Sequence, residues 1–341
     1  MYITAKTLDD LLLRVFKRLL NDRRTVNASK GDFSEQIGAV LKLSNPRARL
    51  SRTETRGRVF SCLGECLWYL SATDRLDFVQ YYIKDYDKYS DDKQTLYGAY
   101  GPRLYRNRGI NQLSSVVELL KRKQTSRQAV IQLFNAEDLL EHHKDIPCTC
   151  SLQFLVRNGK VNMVAHMRSN DAYKGLPHDV FAFTMIQELM ARILELEVGS
   201  YVHCVGSLHL YEENRDQAQR FVDEGYQSTK LVMPPMPAGN PLPSLDKLLE
   251  IESVIRKGAV SHLDVTKLGL HDYWLDLIRL LQVFWLTKQK TRGAASRMRT
   301  VKGSMSSRAF DIYIDRKQKT SETLKTYPAQ LPLLSTQDIE R

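Results

Sequence analysis

The sequence predicts an α+β fold in which helices pack on a mixed sheet, and two observations support this class. Segments with apolar residues three and four positions apart, typical of helices, lie between strand-like runs, so both elements are expected. They do not alternate as a repeated strand–helix–strand unit, which argues against an α/β fold. The 341-residue chain is 43% hydrophobic and 26% charged, a globular composition that buries most of its apolar surface.

Four segments of the chain have the helical spacing. In the second of them, Phe60, Leu63, Leu67 and Leu70 form one apolar stripe. The fourth is rich in apolar residues and is expected to be largely buried. The expected helices lie in residues 7–22, 58–71, 110–123 and 180–197.

Four strand-like segments accompany these helices. The third contains Asn158-Gly159, a dipeptide typical of tight hairpin turns, and therefore predicts a β-hairpin. The expected strands lie in residues 36–45, 128–135, 151–169 and 200–213.

The composition changes at residues 231–244, where prolines and a glycine interrupt the chain. We expect a main domain over residues 1–232, followed over residues 233–341 by a proline-rich linker, a helical extension and a basic tail packed on that domain. Residues 271–290 have helical spacing. We interpret the basic residues in 288–308 as a solvated surface, with contact to phosphate or nucleic acid as the alternative.

Charge and cysteine content limit the partners and the compartment. The net charge of +11 and the pI near 9.3 favour anionic partners. The odd number of cysteines, five, and a beginning without the pattern of a secretory leader predict a protein of the reducing cytoplasm. The longest apolar stretch is interrupted by Asp276, Arg279 and Gln282, so no membrane span is expected.

Cys148 and Cys150 lie one residue apart before a strand-like run. With no second cysteine pair and no histidine at ligand spacing they do not indicate zinc, and no metal is expected. A buried structural thiol is the simplest interpretation of either cysteine alone. However, the next stretch of chain adds an arginine, a serine, two aspartates, a histidine and a tyrosine, which together suit a phosphate, a ring and a sugar.

The order of motifs in this region resembles the thymidylate synthase superfamily. "PCTCSLQF", "MRSNDAYKGLPHDV" and "VGSLHLY" are similar to the family's Pro-Cys-His, Gln-Phe, Arg-Ser-x-Asp, Gly-Leu-Pro-Phe-Asn and Gly-Asp-x-His-x-Tyr motifs. Upstream, "GECLWYL", "GAYGPRLYR" and "INQLSSVVELLKRKQTSRQ" resemble its His-Glu-Leu-Leu-Trp helix, its Tyr-Gly segment and its helix ending in Asp-Ser-Arg-Arg. The resemblance covers roughly residues 28–220 and implies a thymidylate synthase-like fold, with the catalytic domain in residues 1–232.

The resemblance assigns the covalent chemistry to Cys148. Its thiolate would add to carbon 6 of a pyrimidine and make carbon 5 nucleophilic, while nearby arginines favour the thiolate and Cys150 stays structural. Glu65 would order water and move protons at the ring, and its apolar neighbours predict a raised pKa. Tyr100 matches the tyrosine near the nucleophile.

A pyrimidine nucleoside monophosphate is the substrate that the resemblance implies. Arg168 and Ser169 match the family's phosphate contacts, and an arginine binds phosphate bidentately. Arg127 matches an arginine that reaches the phosphate of the partner subunit in a homodimer, and Lys30 corresponds to an N-terminal phosphate arginine. The second arginine of the dimer pair is Gln128 in this chain.

The sugar and the cosubstrate have further implied contacts. His209 and Tyr211 match the pair that binds the 3′-hydroxyl of the sugar. Asp171 and Gly175 match positions that meet 5,10-methylenetetrahydrofolate. Between the helix and Tyr-Gly motifs, where synthases carry tryptophans that hold the folate, this chain has none.

At Asp179 the chain differs from the thymidylate synthase motif, and this difference indicates which base the substrate carries. Thymidylate synthases have asparagine here, which pairs with O4 and N3–H of uracil. Cytosine reverses both groups, and an aspartic acid accepts from its N4 amine and, when protonated, donates to N3. This change, with "MRSND" and "VGSLH", resembles the cytidylate hydroxymethylase branch of the family. A helix cap is the structural alternative for Asp179.

The function we expect is therefore 5-hydroxymethylation of dCMP or CMP, with water adding to an exocyclic methylene on carbon 5. The choice between ribose and deoxyribose stays open. Two alternatives remain: a uridylate enzyme, either a thymidylate synthase or a dUMP hydroxymethylase, and a non-catalytic homologue that binds nucleotides or nucleic acid. The second alternative is motivated by the basic stretch near the end of the chain.

Overall fold

The computed structural model describes residues 1–22, 25–27, 31–230, 232–259, 264–289 and 293–330, with side chains as far as residue 322. The chain forms two compact units, Met1–Pro243 and Ser244–Arg341. Compactness alone does not define an independently folding domain. The expected division into residues 1–232 and 233–341, with the second part packed on the first, stays a prediction.

A six-stranded mixed sheet organises the first unit. Its spatial order is β1, β2, β6, β5, β4, β3. In chain order β1 to β6 are Tyr2–Ala5, Phe33–Leu43, Val130–Gln132, Thr149–Arg157, Lys160–Asp171 and Glu197–Tyr211. The pairs β1–β2 and β5–β6 are parallel and the other neighbours are antiparallel. The predicted α+β class with a mixed sheet is confirmed.

Among the described residues, seven α-helices lie wholly within the first unit. In chain order α1 to α7 are Leu8–Leu20, Val59–Leu70, Leu76–Tyr82, Tyr100–Arg106, Gln112–Arg122, Leu176–Ile193 and Arg215–Asp223. A 3₁₀ helix, Lys84–Tyr89, follows α3. The helices α1 and α6 each join two parallel strands, because parallel neighbours need a crossover connection. Thr7 caps α1 by accepting from the Asp10 amide at 3.1 Å.

The layer that positions the site consists of α2 and α6. The helix α6 packs on β5 and β6, and α2 packs on α6. Both helices are buried on nearly all sides, and most of their residues are apolar. Phe181 and Phe183 are fully buried, and each contributes about 1.5–3 kcal/mol of hydrophobic stabilisation. Glu65 and Asp179 are therefore polar groups held inside an apolar layer.

The second unit is helical where the structure describes it. Its elements α8 to α11 are Leu242–Arg256, which begins two residues before the boundary, Asp272–Gln289, Ala294–Gly303 and Asp311–Gln330. The helices α9, α10 and α11 pack together. Within them Asp276 bonds Arg279 at 2.9 Å and accepts from the amides of Ser306 and Ser307. None of the helices in the described ranges has both the length and the apolar character that crossing a membrane requires.

Candidate active site

Cys148 lies directly before β4 and is held by Arg168 of β5. The Arg168 amide donates to the Cys148 carbonyl at 2.9 Å. Its guanidinium donates to the carbonyls of Pro147 at 2.9 Å and Ile146 at 3.1 Å, and lies 3.6 Å from the Cys148 sulfur. A fixed positive charge beside a sulfur favours the thiolate, which is the nucleophilic form. The two residues that the sequence assigned to sulfur and phosphate chemistry are thus in contact.

A β-bulge follows the cysteine. The register between β4 and β5 shifts between Thr149 and Ser151, so Cys150 is the extra residue. The Cys150 carbonyl accepts from the Leu133 amide at 2.9 Å. Bulges re-aim neighbouring side chains and occur often beside active sites. This bulge starts at the residue after Cys148 and gives Cys150 a backbone role in the sheet.

Tyr100, the first residue of α4, is bonded to the residue after the cysteine. Its hydroxyl oxygen accepts from the amide of Thr149 at 3.2 Å and from the Thr149 hydroxyl at 2.9 Å. Burial, followed by the charges of Asp179 and Cys148, raises the pKa of Tyr100 well above its ordinary value. The phenol therefore stays protonated, lies near both of these groups and keeps its own proton for another acceptor.

Glu65 is buried in α2 and accepts three hydrogen bonds. Nδ1 of His178 lies 2.6 Å from its Oε2, while the hydroxyls of Tyr69, at 3.1 Å, and Tyr86 donate to its Oε1. Burial alone would raise the pKa of Glu65, but the His178 charge and these hydrogen bonds hold it below its ordinary value. The expectation of a raised pKa is therefore wrong, because it considered the apolar neighbours along the helix and not the partners from other elements.

His178 of α6 is a residue that the sequence reasoning did not assign. Burial would lower its pKa, but Cys62 and Glu65 raise it to about 10. Its Nε2 lies 3.4 Å from the hydroxyl of Ser61. The imidazole is thus a cation paired with Glu65 at neutral pH. The available signal was the histidine in "GLPHD", at a position where the family motif has phenylalanine.

Asp179 lies one residue further, in the first turn of α6. Its Oδ2 accepts from Nδ2 of Asn170 at 2.7 Å. Burial first, and the charge of Glu65 second, raise the pKa of Asp179 to about 8. The site therefore holds an ionised and a neutral carboxyl group at pH 7, a pairing typical of acid–base chemistry. Among the described contacts, Asp179 accepts no hydrogen bond from an amide in the first turn of α6, as a capping residue would.

His209 and Tyr211 lie together near the end of β6. Their ring centroids are 5.0 Å apart, and His209 is in register with Asp171 of β5. Burial, then the charges of Asp171, Tyr89 and Cys148, raise the pKa of Tyr211. Tyr211 is thus close enough to Cys148 to sense its charge. The structure brings the expected sugar contacts to the same region as the expected nucleophile.

Asp171 and Gly175 flank the turn between β5 and α6. Oδ1 of Asp171 accepts from the amides of Tyr173 at 2.8 Å and Lys174 at 2.9 Å, which shapes the turn. A Cβ atom on Gly175 would lie only 2.8 Å from Nδ2 of Asn170. Both residues therefore have local structural roles, and their contact with folate stays a prediction.

For the remaining predicted contacts the structure gives only their position and local hydrogen bonds, and one of them lies outside the described residues. Ser169 is partly exposed on β5 and pairs with Ser207 of β6. Arg127 is exposed, and its carbonyl accepts from Nε2 of Gln153 at 2.9 Å. Its role across a dimer interface stays a prediction. Lys30 lies outside the described residues.

A comparison with protein families matches the part of the chain that holds this site. The model of the family described as thymidylate synthase matches residues 22–240, well over half of the chain. This range includes every residue of the site, from Glu65 in α2 to Tyr211 at the end of β6. Among the described residues, no group of three or more histidine, cysteine, aspartate or glutamate side chains is arranged to hold a metal ion.

Proposed function

This chain belongs to the thymidylate synthase family, and we propose that it is a cytidylate 5-hydroxymethylase. Members of the family are transferases that modify carbon 5 of a pyrimidine nucleotide with a one-carbon unit from folate. That coarser activity follows from membership. The finer proposal specifies dCMP or CMP as the substrate and a 5-hydroxymethyl group as the product.

The neutral, buried carboxyl of Asp179 is the observation that carries the choice of base. Cytosine offers an N4 amine that donates and an N3 atom that accepts. A carboxylic acid with a pKa of about 8 offers both complements at neutral pH, one oxygen that accepts and one O–H that donates. Leaving one buried polar group unpaired costs about 1–3 kcal/mol, so uracil, with its reversed pattern, would bind less well.

The covalent steps begin with Cys148. Its thiolate adds to carbon 6, with Arg168 beside the sulfur, and the electron pair of the ring makes carbon 5 nucleophilic. When bound, methylenetetrahydrofolate would supply the one-carbon unit that carbon 5 receives; the carbon 5 proton passes to solvent, and tetrahydrofolate leaves as its bond to that carbon breaks. The nucleotide, still bonded to Cys148, then bears an exocyclic methylene group.

Glu65 completes the reaction in this proposal. Because its pKa is held low, it is ionised and accepts a proton from water as the water oxygen adds to the methylene. The electron pair returns through carbon 5 and expels the Cys148 thiolate from carbon 6. Carbon 5 then carries a hydroxymethyl group, and no hydride is transferred.

The residues present suit a folate, with tyrosines in place of the tryptophans that hold the folate in synthases. Tyr86 and Tyr89 occupy the stretch where the family carries tryptophans, and their rings pack edge to face at 5.8 Å. Tyr89 is half-buried, and its pKa is raised by burial and by charges that include Asp171 and Cys148. We therefore assign Tyr89 and Asp171 as the residues that would contact the folate.

Tritium release from carbon 5 tests the proposal. The protein is incubated with methylenetetrahydrofolate and nucleotides tritiated at carbon 5, namely dCMP, CMP and dUMP, with Cys148→Ala as the matched control. We expect folate-dependent release from at least one cytidylate, a product heavier by one CH₂O unit, and no release by the control. Faster release from dUMP would favour the uridylate alternative, and no release from any nucleotide by folded protein would refute the proposal.

A further inference from the structure

A directed chain of buried hydrogen bonds ends on Asp179. The hydroxyl of Tyr201 lies 2.6 Å from Nδ1 of His203, and Nε2 of His203 lies 3.0 Å from Oδ1 of Asn170. Nδ2 of Asn170 then lies 2.7 Å from Oδ2 of Asp179. All four side chains are buried, and they come from β6, β5 and α6. Three of them were not assigned by the sequence.

The direction of each bond in this chain follows from protonation. Burial, before the charges of Asp179 and Cys204, raises the pKa of Tyr201 well above its ordinary value, so its O–H donates. Burial lowers the pKa of His203 to about 3, so the imidazole is neutral and carries one proton. Since Nδ1 accepts from Tyr201, that proton is on Nε2 and is donated to Asn170.

The orientation of the Asn170 amide is fixed by this chain. Its oxygen accepts from His203, so its NH₂ group faces Asp179. Gly175 leaves room for that NH₂ group, because a Cβ atom there would lie 2.8 Å from Nδ2. Oδ2 of Asp179 therefore receives a hydrogen bond, and the proton of the neutral carboxyl group belongs on Oδ1.

We propose that Asn170 is a positioning residue that sets base specificity, because it leaves Asp179 with an accepting Oδ2 for the N4 amine of cytosine and a donating Oδ1 for N3. This inference rests on the proposed function and specifies how the same site reads its substrate. A carboxyl oxygen has two lone pairs, so Oδ2 accepts from Asn170 and from the amine together. Uracil needs the opposite arrangement, which requires either a proton on Oδ2 or a turned carboxyl group. Both changes place a protonated oxygen, which is a poorer acceptor, against the NH₂ group of Asn170 and so weaken that hydrogen bond.

The matched pair Asn170→Leu and Asn162→Leu tests this proposal. Asn162 lies on the same strand and accepts from the amide of Ser200 at 2.9 Å, away from the chain of bonds to Asp179. The measurement is kcat/KM for tritium release from a cytidylate and from dUMP. We expect Asn170→Leu to lower the ratio of the two about ten- to a hundredfold. Asn162→Leu is expected to keep the wild-type ratio.

The histidine tautomer gives a readout on the wild-type protein itself. Nitrogen NMR of labelled wild-type protein, with His203→Gln to assign the signal, distinguishes the protonated ring nitrogen from the bare one. We expect His203 to be neutral with its proton on Nε2. A proton on Nδ1 would reverse the amide of Asn170 and overturn the inference.

The outcomes separate the two proposals. A wild-type protein without preference for cytidylates would refute the proposed function, and this inference with it. A wild-type preference that Asn170→Leu retains would overturn the inference alone. Should Asn170→Leu fail to fold, the tautomer and the ratio in Tyr201→Phe decide, because losing the donor to Nδ1 is expected to lower the ratio in the same direction.

Discussion

Nδ1 of His178 lies 2.6 Å from Oε2 of Glu65, which makes a buried ion pair between α6 and α2. In such a pair each charge compensates the other, and removing one member leaves an uncompensated buried charge. Here the pair has a chemical consequence as well, because the cation keeps Glu65 ionised inside an apolar layer.

Replacing His178 with phenylalanine, the residue of the family motif, is expected to change the pH dependence of catalysis. Glu65 also faces Tyr69, Tyr86 and Asp179, none of which is a cation. Without His178 the pKa of Glu65 rises, so the ionised form that accepts a proton is lost at higher pH than in the wild type. The acidic limb of the kcat profile should therefore move upward in pH, with about tenfold lower kcat near pH 6.

The exposed His166 of β5 offers the matched control His166→Phe. This variant should keep the wild-type profile. His178→Gln retains a hydrogen-bond donor to Glu65 without the positive charge. Its acidic limb should lie between those of the wild type and His178→Phe. An unmoved acidic limb in His178→Phe would show that Glu65 does not act as the base.

Asp179→Asn is expected to stabilise the protein increasingly as the pH rises. The folded pKa of Asp179 is about 8, against an ordinary value of 3.8, so the folded state disfavours the carboxylate. Between these values folding takes up a proton, and wild-type stability falls by about 1.4 kcal/mol per pH unit from this group. Urea denaturation at several pH values should show the variant's advantage growing from pH 4 to pH 8 and then levelling. A constant difference would contradict the raised pKa.

Asp179→Asn should also change the substrate. The oxygen and the NH₂ group of an amide exchange places when the side chain turns, so the variant can donate to O4 and accept from N3–H of uracil, and the ratio of cytidylate to dUMP turnover should fall about tenfold. Wild-type turnover of cytidylates should decline above about pH 8, as the proton that donates to N3 is lost. Equal loss with both nucleotides would indicate damage to the site and not altered reading of the base.

Arg168→Gln is expected to reduce the reactivity of Cys148. The guanidinium lies 3.6 Å from the sulfur, and without its charge a smaller fraction of the thiol is ionised at pH 7. The rate of iodoacetamide labelling at Cys148, followed by peptide mass spectrometry, should fall several-fold. Arg157→Gln, at the exposed end of β4, is the matched control and should leave the rate unchanged. Equal rates in both variants would remove Arg168 from the activation of the sulfur.

The fully buried pair of Arg49 and Glu188, 2.5 Å apart, should be essential for stability. Glu188 also accepts from the amide of Met236, but Arg49→Met leaves its charge without a cation. We expect a loss of about 3–5 kcal/mol in the free energy of unfolding. The exposed pair of Arg75 and Asp77 is the control, and Arg75→Met should cost less than about 1 kcal/mol. Similar losses in the two variants would contradict this account.

Motif order was enough to select residues that lie near one another in the candidate site, because a short motif keeps each residue type on the same element. Glu65, Tyr100 and Asp179 were expected together with Cys148, and contacts and shared charges link them in the structure. The strand and helix patterns also predicted the hairpin at Asn158-Gly159, where both residues have positive φ.

Hydrogen-bond partners that lie on different helices and strands could not be predicted from the order of motifs. His178 and Asn170 lie inside the quoted motifs, at positions where the family pattern differs or is variable. Tyr201 and His203 alternate along β6 like ordinary buried strand residues. Only the packing of β6 against β5, and of α2 against α6, determines what these side chains touch. The sign of the Glu65 pKa shift depended on the same packing.

The ion pair of His178 with Glu65 and the neutral Asp179 together carry no net charge at pH 7. The guanidinium of Arg168, by contrast, places a positive charge beside Cys148. A nucleotide is itself divided in this way, since its ring is uncharged and its phosphate is a dianion. A free phosphate is therefore expected to bind beside Arg168, and an uncharged ring beside Glu65 and Asp179.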